Sequence, residues 1–492
     1  MTPTNSHQLP ELFFPEDSRW ASRAAARGEI RRLARGLYTP NLDEPAEQLV
    51  RRRWHDAAAL YFPKAVIADR SAVLAGPAPD GSLFLDVGPR PVNPRSIVLP
   101  GLTLRPRNGP GPVQRDTQFV NLYMSSPARA MLDNLRPSRA RSGISRTLGR
   151  EEIEERLDRL ARARGEQALN EMRDEARVLA PELHSEEQLK TLDRLIGALL
   201  GTRETQLLTH AARARGAGLG YDTDRLAMFE TLRGELATQT FAARPEPADP
   251  ERMFAFYEAY FSNWIEGTVF EVGEAEEIVF AGRVPPQRPA DAHDVQGTFA
   301  AILDTRLRDT MPSSPDELED YLRDAHRQVM AGRPEVSPGE YKERSNRAGS
   351  THFVAPEEVR GTLREGWQTM STLPAGLARA IFAMFLVAEV HPFADGNGRV
   401  ARLLMNAELS SQGLCRVLIP LSYRDEYVGA LRALSRGSNP TPLRRTIDRA
   451  QRWAALMPWD DRDQVLDLLA QTNALVTPEE AAAENLHLLD PR

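Results

Sequence analysis

Cysteine is almost absent from the 492 residues, Cys415 being the only one. One thiol cannot close an intramolecular disulfide, and a cysteine-based zinc site is not expected. Lysine is scarce too: Lys64, Lys190 and Lys342 are the only lysines among 62 basic residues, and none follows a glycine. A Walker A phosphate loop, which needs Gly-Lys-(Ser/Thr), is thereby excluded. Long apolar runs are missing, since the best, 377–390, is fourteen residues and contains Arg379 and Glu389. That is too short and too charged for a membrane span. The first ten residues lack the basic-then-apolar order of a signal peptide, so a cytoplasmic location without membrane association is expected. An overall basic charge is also lacking, with 62 basic against 69 acidic residues and a net charge of −7. Any case for nucleic-acid binding must therefore be regional. What remains is the composition of a soluble globular protein, 41% apolar and 27% charged, long enough for about three domains.

The densest chemistry is His391-Pro392-Phe393-Ala394-Asp395-Gly396-Asn397-Gly398-Arg399-Val400-Ala401-Arg402. The apolar stretch 377–390 before it has the length of a buried helix rather than a strand. Pro392 disfavours helical geometry at His391, which leaves the imidazole at a helix-to-loop junction. Val400, Leu403, Leu404 and Ala407 then fall at helical spacing, so a second helix begins near 397–399. A helix N-terminus offers unpaired N–H groups and partial positive charge, and Gly396 and Gly398 allow a ligand to approach closely, which makes an anion cradle. Arg399 and Arg402 lie in or near the first turn, where the dipole disfavours cations, and they make sense with a phosphate chain between them. Asp395 is a lone carboxylate of the kind Mg²⁺ uses when phosphates supply its other ligands. His391 is a base that titrates near neutrality.

These twelve residues resemble, without a gap, the His-Pro-Phe-x-(Asp/Glu)-Gly-Asn-Gly-Arg-x-x-Arg signature of the Fic family, most of whose members transfer AMP from ATP to a protein hydroxyl. The resemblance implies a helical bundle with a β-hairpin flap. It implies His391 as catalytic base, Gly396, Asn397, Gly398, Arg399 and Arg402 as nucleotide and phosphate ligands, Asp395 as the metal ligand, and ATP and Mg²⁺ in the site. The related kinase-like Doc toxins replace the Gly-Asn-Gly part, so its presence favours a transferase.

Ahead of this stretch, Met253, Phe256, Tyr257, Tyr260 and Trp264 recur at helical spacing in a helix assigned to 250–266. It ends at Glu266-Gly267, a carboxylate at the electrostatically unfavourable end of its helix. Arg399 is a cation at the wrong end of its own, so the two are expected to pair. Ser262 to Gly267 also resembles the (Ser/Thr)-x-x-x-Glu-(Gly/Asn) inhibitory segment of Fic proteins, with Thr268 where the family usually has Asn. That likeness implies Ser262, Glu266 and Gly267 as an inhibitory element. Segment 338–356 stands where relatives carry the flap, with Arg347 to Ser350 as its turn and Thr351 to Val354 as the returning strand. The flap would hold an extended target by strand pairing.

The N-terminal region differs in texture. Nine arginines against four acidic residues between Arg19 and Arg53 give a local charge of +5. A short helix at 18–28 and a basic hairpin at 30–39 fit a winged-helix profile. Arg-Gly-Glu-Ile-Arg-Arg-Leu-Ala-Arg-Gly-Leu-Tyr resembles AbiEi-type antitoxin domains, although the helices expected before Ser18 are missing or short. Arg23, Arg27, Arg31, Arg32 and Arg35 are the expected DNA contacts.

The expected fold is therefore mainly α, the Fic bundle with its flap, plus an N-terminal α+β region with a winged-helix-like module. The expected organisation is such a module at 1–60, a small mixed α/β region at 61–140 and a helical connector at 141–243. A Fic domain follows at 250–458, and a helical tail at 459–492. The expected activity is autoinhibited AMP transfer to a Ser, Thr or Tyr hydroxyl of a target protein. Removal of AMP, a different nucleotide donor, and a DNA-binding transcriptional or toxin-antitoxin regulator with the Fic domain as nucleotide sensor remain open, as does homodimerisation.

Overall fold

A computed structural model describes residues 9–90, 94–139, 143–249 and 252–491. Its backbone separates into two units, Met1–Ala217 and Gly218–Arg492.

The first unit opens with α1 (Ser18–Ala26), capped by the Asp17 side chain on Arg19 N–H. The antiparallel hairpin β1 (Arg31–Ala34) and β2 (Leu37–Thr39) follows. Ala21 and Ala24 of α1 are buried with Ile30 and Tyr38 in a small core of their own. Next come α2 (Ala46–Arg52), α3 (Trp54–Tyr61), β3 (Val66–Ile67), α4 (Asp69–Leu74), β4 (Ser82–Asp86), β5 (Ile97–Leu99), β6 (Leu102–Arg107), β7 (Thr117–Phe119), β8 (Leu122–Met124) and α5 (Pro127–Asn134). The strands form one mixed sheet in the order β5-β6-β4-β3-β8-β7. Its apolar residues Ile67, Leu83, Leu85, Leu104 and Leu122 share a core with Leu49, Val50, Ala57 and Ala58 of α2 and α3. The fully buried Arg129 of α5 is ion-paired with Asp86, Asp116 and Asp133. Such pairing is what makes an interior guanidinium tolerable. Helices α6 (Arg150–Arg164), α7 (Glu166–Leu183), α8 (Glu186–Leu199) and α9 (His210–Gly216) complete the unit.

The five arginines expected to contact DNA differ in their surroundings. Arg31 is half-buried, and its guanidinium donates to the carbonyls of Asn41 and Glu44, so it fixes the strand to the following loop. Arg27 is exposed and paired with Glu29 at 2.6 Å. Arg23, Arg32 and Arg35 are exposed on helix and hairpin.

The second unit begins earlier than the sequence suggests. Helix α10 (Thr223–Ala237), expected in the connector, buries Phe229, Leu232 and Leu236 in the core of the second unit. Phe229 meets the rings of Phe382 and Phe385 at 5.8 and 6.2 Å. After it come α11 (Met253–Ile265), α12 (Val272–Ala281), α13 (Pro289–Leu303), α14 (Thr305–Arg308) and α15 (Pro315–Val329). The flap is a minimal hairpin, β9 (Arg347–Ala348) with β10 (Thr351–His352). The turn is therefore Gly349-Ser350, with Arg347 and Ala348 already extended. Helices α16 (Val359–Ser371), α17 (Leu377–Val390), α18 (Asn397–Ser411), α19 (Arg424–Gly437) and α20 (Thr441–Leu456) build the bundle. Finally α21 (Arg462–Gln471) and α22 (Pro478–Glu484) contribute Val465, Leu469 and Ala481 to buried positions. Trp459 meets Phe254 of α11 at 4.9 Å, which makes the expected tail part of this core. Among the described residues no helix is long and apolar enough to cross a membrane.

Candidate active site

Helices α17 and α18 are joined by 391–396 and pack against each other. His391 ends α17 in the left-handed conformation, φ 53° and ψ 59°. Pro392 blocks right-handed continuation there. Gly396 precedes α18 at φ 75°. Asn397 is buried, and its side chain accepts from Phe393 N–H at 2.8 Å and donates to Phe393 O at 2.9 Å. Its amide thus fixes the loop, and what Asn397 offers a phosphate is its main-chain N–H at the first turn.

His391 Nδ1 lies 3.2 Å from Ala388 O. A carbonyl only accepts, so Nδ1 carries the proton and Nε2 is the basic nitrogen. Burial lowers the imidazole to about 4, against the upward pull of that hydrogen bond and of Glu266 and Asp395. It is therefore neutral at physiological pH. Phe353, just after β10, stacks on it at 3.8 Å with planes 4° apart.

A second histidine, missed in the sequence, supports the loop from below. His326 of α15 is fully buried, accepts from Gly339 N–H through Nδ1 at 2.9 Å, and so donates from Nε2 to Asp395 O at 3.1 Å. Its ring stacks on Phe393 at 3.9 Å. The signal was present as a lone histidine within the apolar stripe Leu318, Leu322, Ala325 and Val329. Lys342, equally unassigned, has its ammonium lowered to about 7 by burial and the neighbouring Arg225 charge.

Glu266 caps the C-terminus of α11, followed by Gly267 at φ 92°. The expected pairing with Arg399 is corrected: Glu266 Oε1 binds Arg402 Nη2 at 2.7 Å. Ser262 completes the grip, its Oγ accepting from Arg402 Nε at 3.0 Å and its carbonyl from Nη2 at 2.8 Å. Arg399 is instead ion-paired with Asp294 of α13 at 2.9 Å and donates to Asn263 Oδ1 at 3.2 Å. Burial opposes the charge on Glu266, but Arg402 and the neighbouring Arg399 together outweigh it and hold the carboxyl below the ordinary glutamate range. The carboxylate lies so close over Gly398 that a Cβ there would fall 2.1 Å from Oε1. It stands against the main chain of the anion cradle itself.

Asp294 serves two guanidiniums, since Arg333 Nε also approaches both its oxygens at 2.9 Å. Asp294 is fully buried and the Arg399 side chain 3% exposed. Arg333 keeps Asp291 at 2.7 Å, but Asp294→Asn leaves the buried Arg399 uncompensated, so stability should fall by about 3 kcal/mol. A urea midpoint equal to that of the parent chain would show the pair to be idle.

Asp395 is exposed, and its Oδ1 accepts from Gly396 N–H at 2.7 Å. Among the described residues no three His, Cys, Asp or Glu side chains converge as a ready-made metal site. A single accessible carboxylate beside an anion cradle fits Mg²⁺ held chiefly by substrate phosphates.

A neutral imidazole, a helix N-terminus behind two glycines, a lone carboxylate and two guanidiniums thus stand together at one junction of a helical bundle. Residues 315–409 match the Fic/DOC family, and the chain carries a domain of that family. The match begins at α15 and ends within α18, so α11 lies outside it. The protein adenylyltransferase fic-1 of Caenorhabditis briggsae is 29% identical over 243 residues, 47% of this chain and 46% of that protein. Its Caenorhabditis elegans counterpart is 32% identical over 190 residues, 37% of each chain. Protein adenylyltransferase Fic of Culex quinquefasciatus is 25% identical over 299 residues, 58% of this chain and 59% of the relative. The chain thus spans about half the length of the curated relatives it matches, or less. A solved structure of C. elegans Fic-1, residues 134–508, is 23% identical, covers 65% of this chain and 92% of that one, and has a TM-score of 0.36.

Proposed function

We propose that the second unit transfers AMP from ATP to a hydroxyl of a target protein, and that Glu266 restrains it. One observation carries this reading: a single loop sets a neutral imidazole, with Nε2 as its basic nitrogen, beside a helix N-terminus backed by two arginines. Nε2 of His391 takes the proton of a target Ser, Thr or Tyr hydroxyl. The hydroxyl oxygen bonds to the α-phosphorus, the bond from that phosphorus to the oxygen bridging the β-phosphate breaks, and pyrophosphate leaves. The main-chain N–H groups of the 396–398 turn receive phosphate oxygens, and Arg399 and Arg402 neutralise the leaving charge, the electrostatic work that dominates such transfers. Asp395 would hold Mg²⁺, which supplies further charge neutralisation on the phosphates. The names of the relatives support the donor and the acceptor class. Incubating a bacterial lysate with the Glu266→Gly chain and ATP, then searching by mass spectrometry for AMP on Ser, Thr or Tyr, tests the reading. A lysate with no AMP-bearing peptide would overturn it.

The exposed Arg23, Arg32 and Arg35 favour a second reading for the first unit, binding to the DNA backbone. Mobility shifts with promoter DNA of the chain's own operon should then weaken about tenfold or more between 50 and 200 mM salt, the behaviour of a contact releasing several counterions. Salt-independent migration would remove this reading.

A further inference from the structure

Lys342 precedes the flap, is 6% exposed, and is ion-paired with no carboxylate among the described residues. Its ammonium has neutral partners instead, Asn346 Oδ1 at 2.8 Å and Val390 O at 3.4 Å. A buried cation without a counter-ion is costly, and the hydrogen bonds around it give the reason for its presence. The main-chain N–H of Lys342 donates to Pro392 O at 2.9 Å, and Asn346 Nδ2 donates to Phe393 O at 2.9 Å. Two residues at the flap's base therefore hold the carbonyls of 390, 392 and 393, on both sides of His391.

That grip coincides with backbone strain. His391 stands at φ 53°, a region costly for a residue with a Cβ, and such a conformation persists only where its surroundings over-determine it. From the other end of the same segment, Phe353 closes the face of the imidazole.

We propose that Lys342 is a positioning residue for His391, acting with Asn346 as a clip that fixes the His391 turn to the base of the flap. The ammonium reaches two acceptors at once from a short, buried approach, which an uncharged apolar side chain cannot do. Because the flap and the base share this clip, an ordered flap and a correctly aimed Nε2 form together. The inference rests on the reading of His391 as the base, and its test separates the two.

In the Glu266→Gly chain, Lys342→Met should lower AMP transfer about 10²-fold, the cost of misplacing a reacting group by roughly an ångström. ATP affinity by calorimetry should hold. Hydrogen exchange at the amides of His391 and Phe393 should quicken, and Lys342→Arg, which keeps the charge and the donors, should recover most of the rate and of the protection. Asn346→Ala, at a half-buried position, should quicken the same two amides without lowering the thermal midpoint. If the parent transfers no AMP, the proposed function fails while the exchange measurement still decides the clip. Unchanged exchange in Lys342→Met and Asn346→Ala overturns the clip. A loss shared equally by Lys342→Met and Lys342→Arg, with a lowered midpoint in both, also overturns it, because Lys342 would then be a packing residue.

Discussion

Glu266→Gly should raise AMP transfer by roughly 10²-fold over the parent chain. The reasoning runs from the competition for Arg402. Its side chain is 7% exposed and that of Glu266 27%, so the pair lies largely out of water, where removing one partner typically costs about 3 to 5 kcal/mol. A triphosphate entering the parent site must break this contact and also displace the carboxylate from over Gly398. In Glu266→Gly the first cost has been met in the unliganded protein, and a difference of about 3 kcal/mol corresponds to roughly 10²-fold. The same argument makes unliganded Glu266→Gly less stable than the parent, because Arg402 keeps Ser262 but loses its counter-ion. ATP should therefore raise the melting temperature of Glu266→Gly by more than it raises that of the parent. Transfer from radiolabelled ATP at equal rates by the two chains would remove the lock.

The lock also shows where sequence reasoning stopped. The end of α11 at Glu266 followed from aromatic spacing and the usual placement of glycine after a helix. The choice between Arg399 and Arg402 did not follow, because residues three apart share a helix face. Side chains lean toward their helix N-terminus, so Arg402, one turn in, reaches the cradle. Arg399 is taken by Asp294, and nothing in the sequence 289–303 distinguished that aspartate from a solvated one. The place of α10 was hidden for a related reason. The expected connector ran from 141 to 243, whereas the backbone separates between Ala217 and Gly218. What placed α10 was the shape of Phe229 against α17, a tertiary fact. The twelve-residue loop was legible because nearly every position in it is constrained locally, by Pro392, two glycines and a helix start.

His391→Ala should lower transfer by the roughly 10²- to 10⁴-fold that a general base typically supplies, with ATP affinity retained. The retention follows from the geometry: the phosphate-facing groups are the first turn of α18 and its arginines, and the imidazole is tied to the end of α17 through Ala388 O. The pH profile sharpens the test. A base works in its neutral form, so a pKa lowered by burial to about 4 keeps it competent as the pH falls. The Glu266→Gly chain should accordingly keep kcat/KM level from pH 8 to 6, with no loss centred on the 6.5 of a free imidazole. Removing Glu266 also removes one of the carboxylates that pull His391 upward, which moves any acid limb lower still. Normal transfer by His391→Ala, or a limb at 6.5 in the Glu266→Gly chain, would assign the base elsewhere, because burial outweighs the upward pull of the Nδ1 donation to Ala388 O and holds His391 below that range.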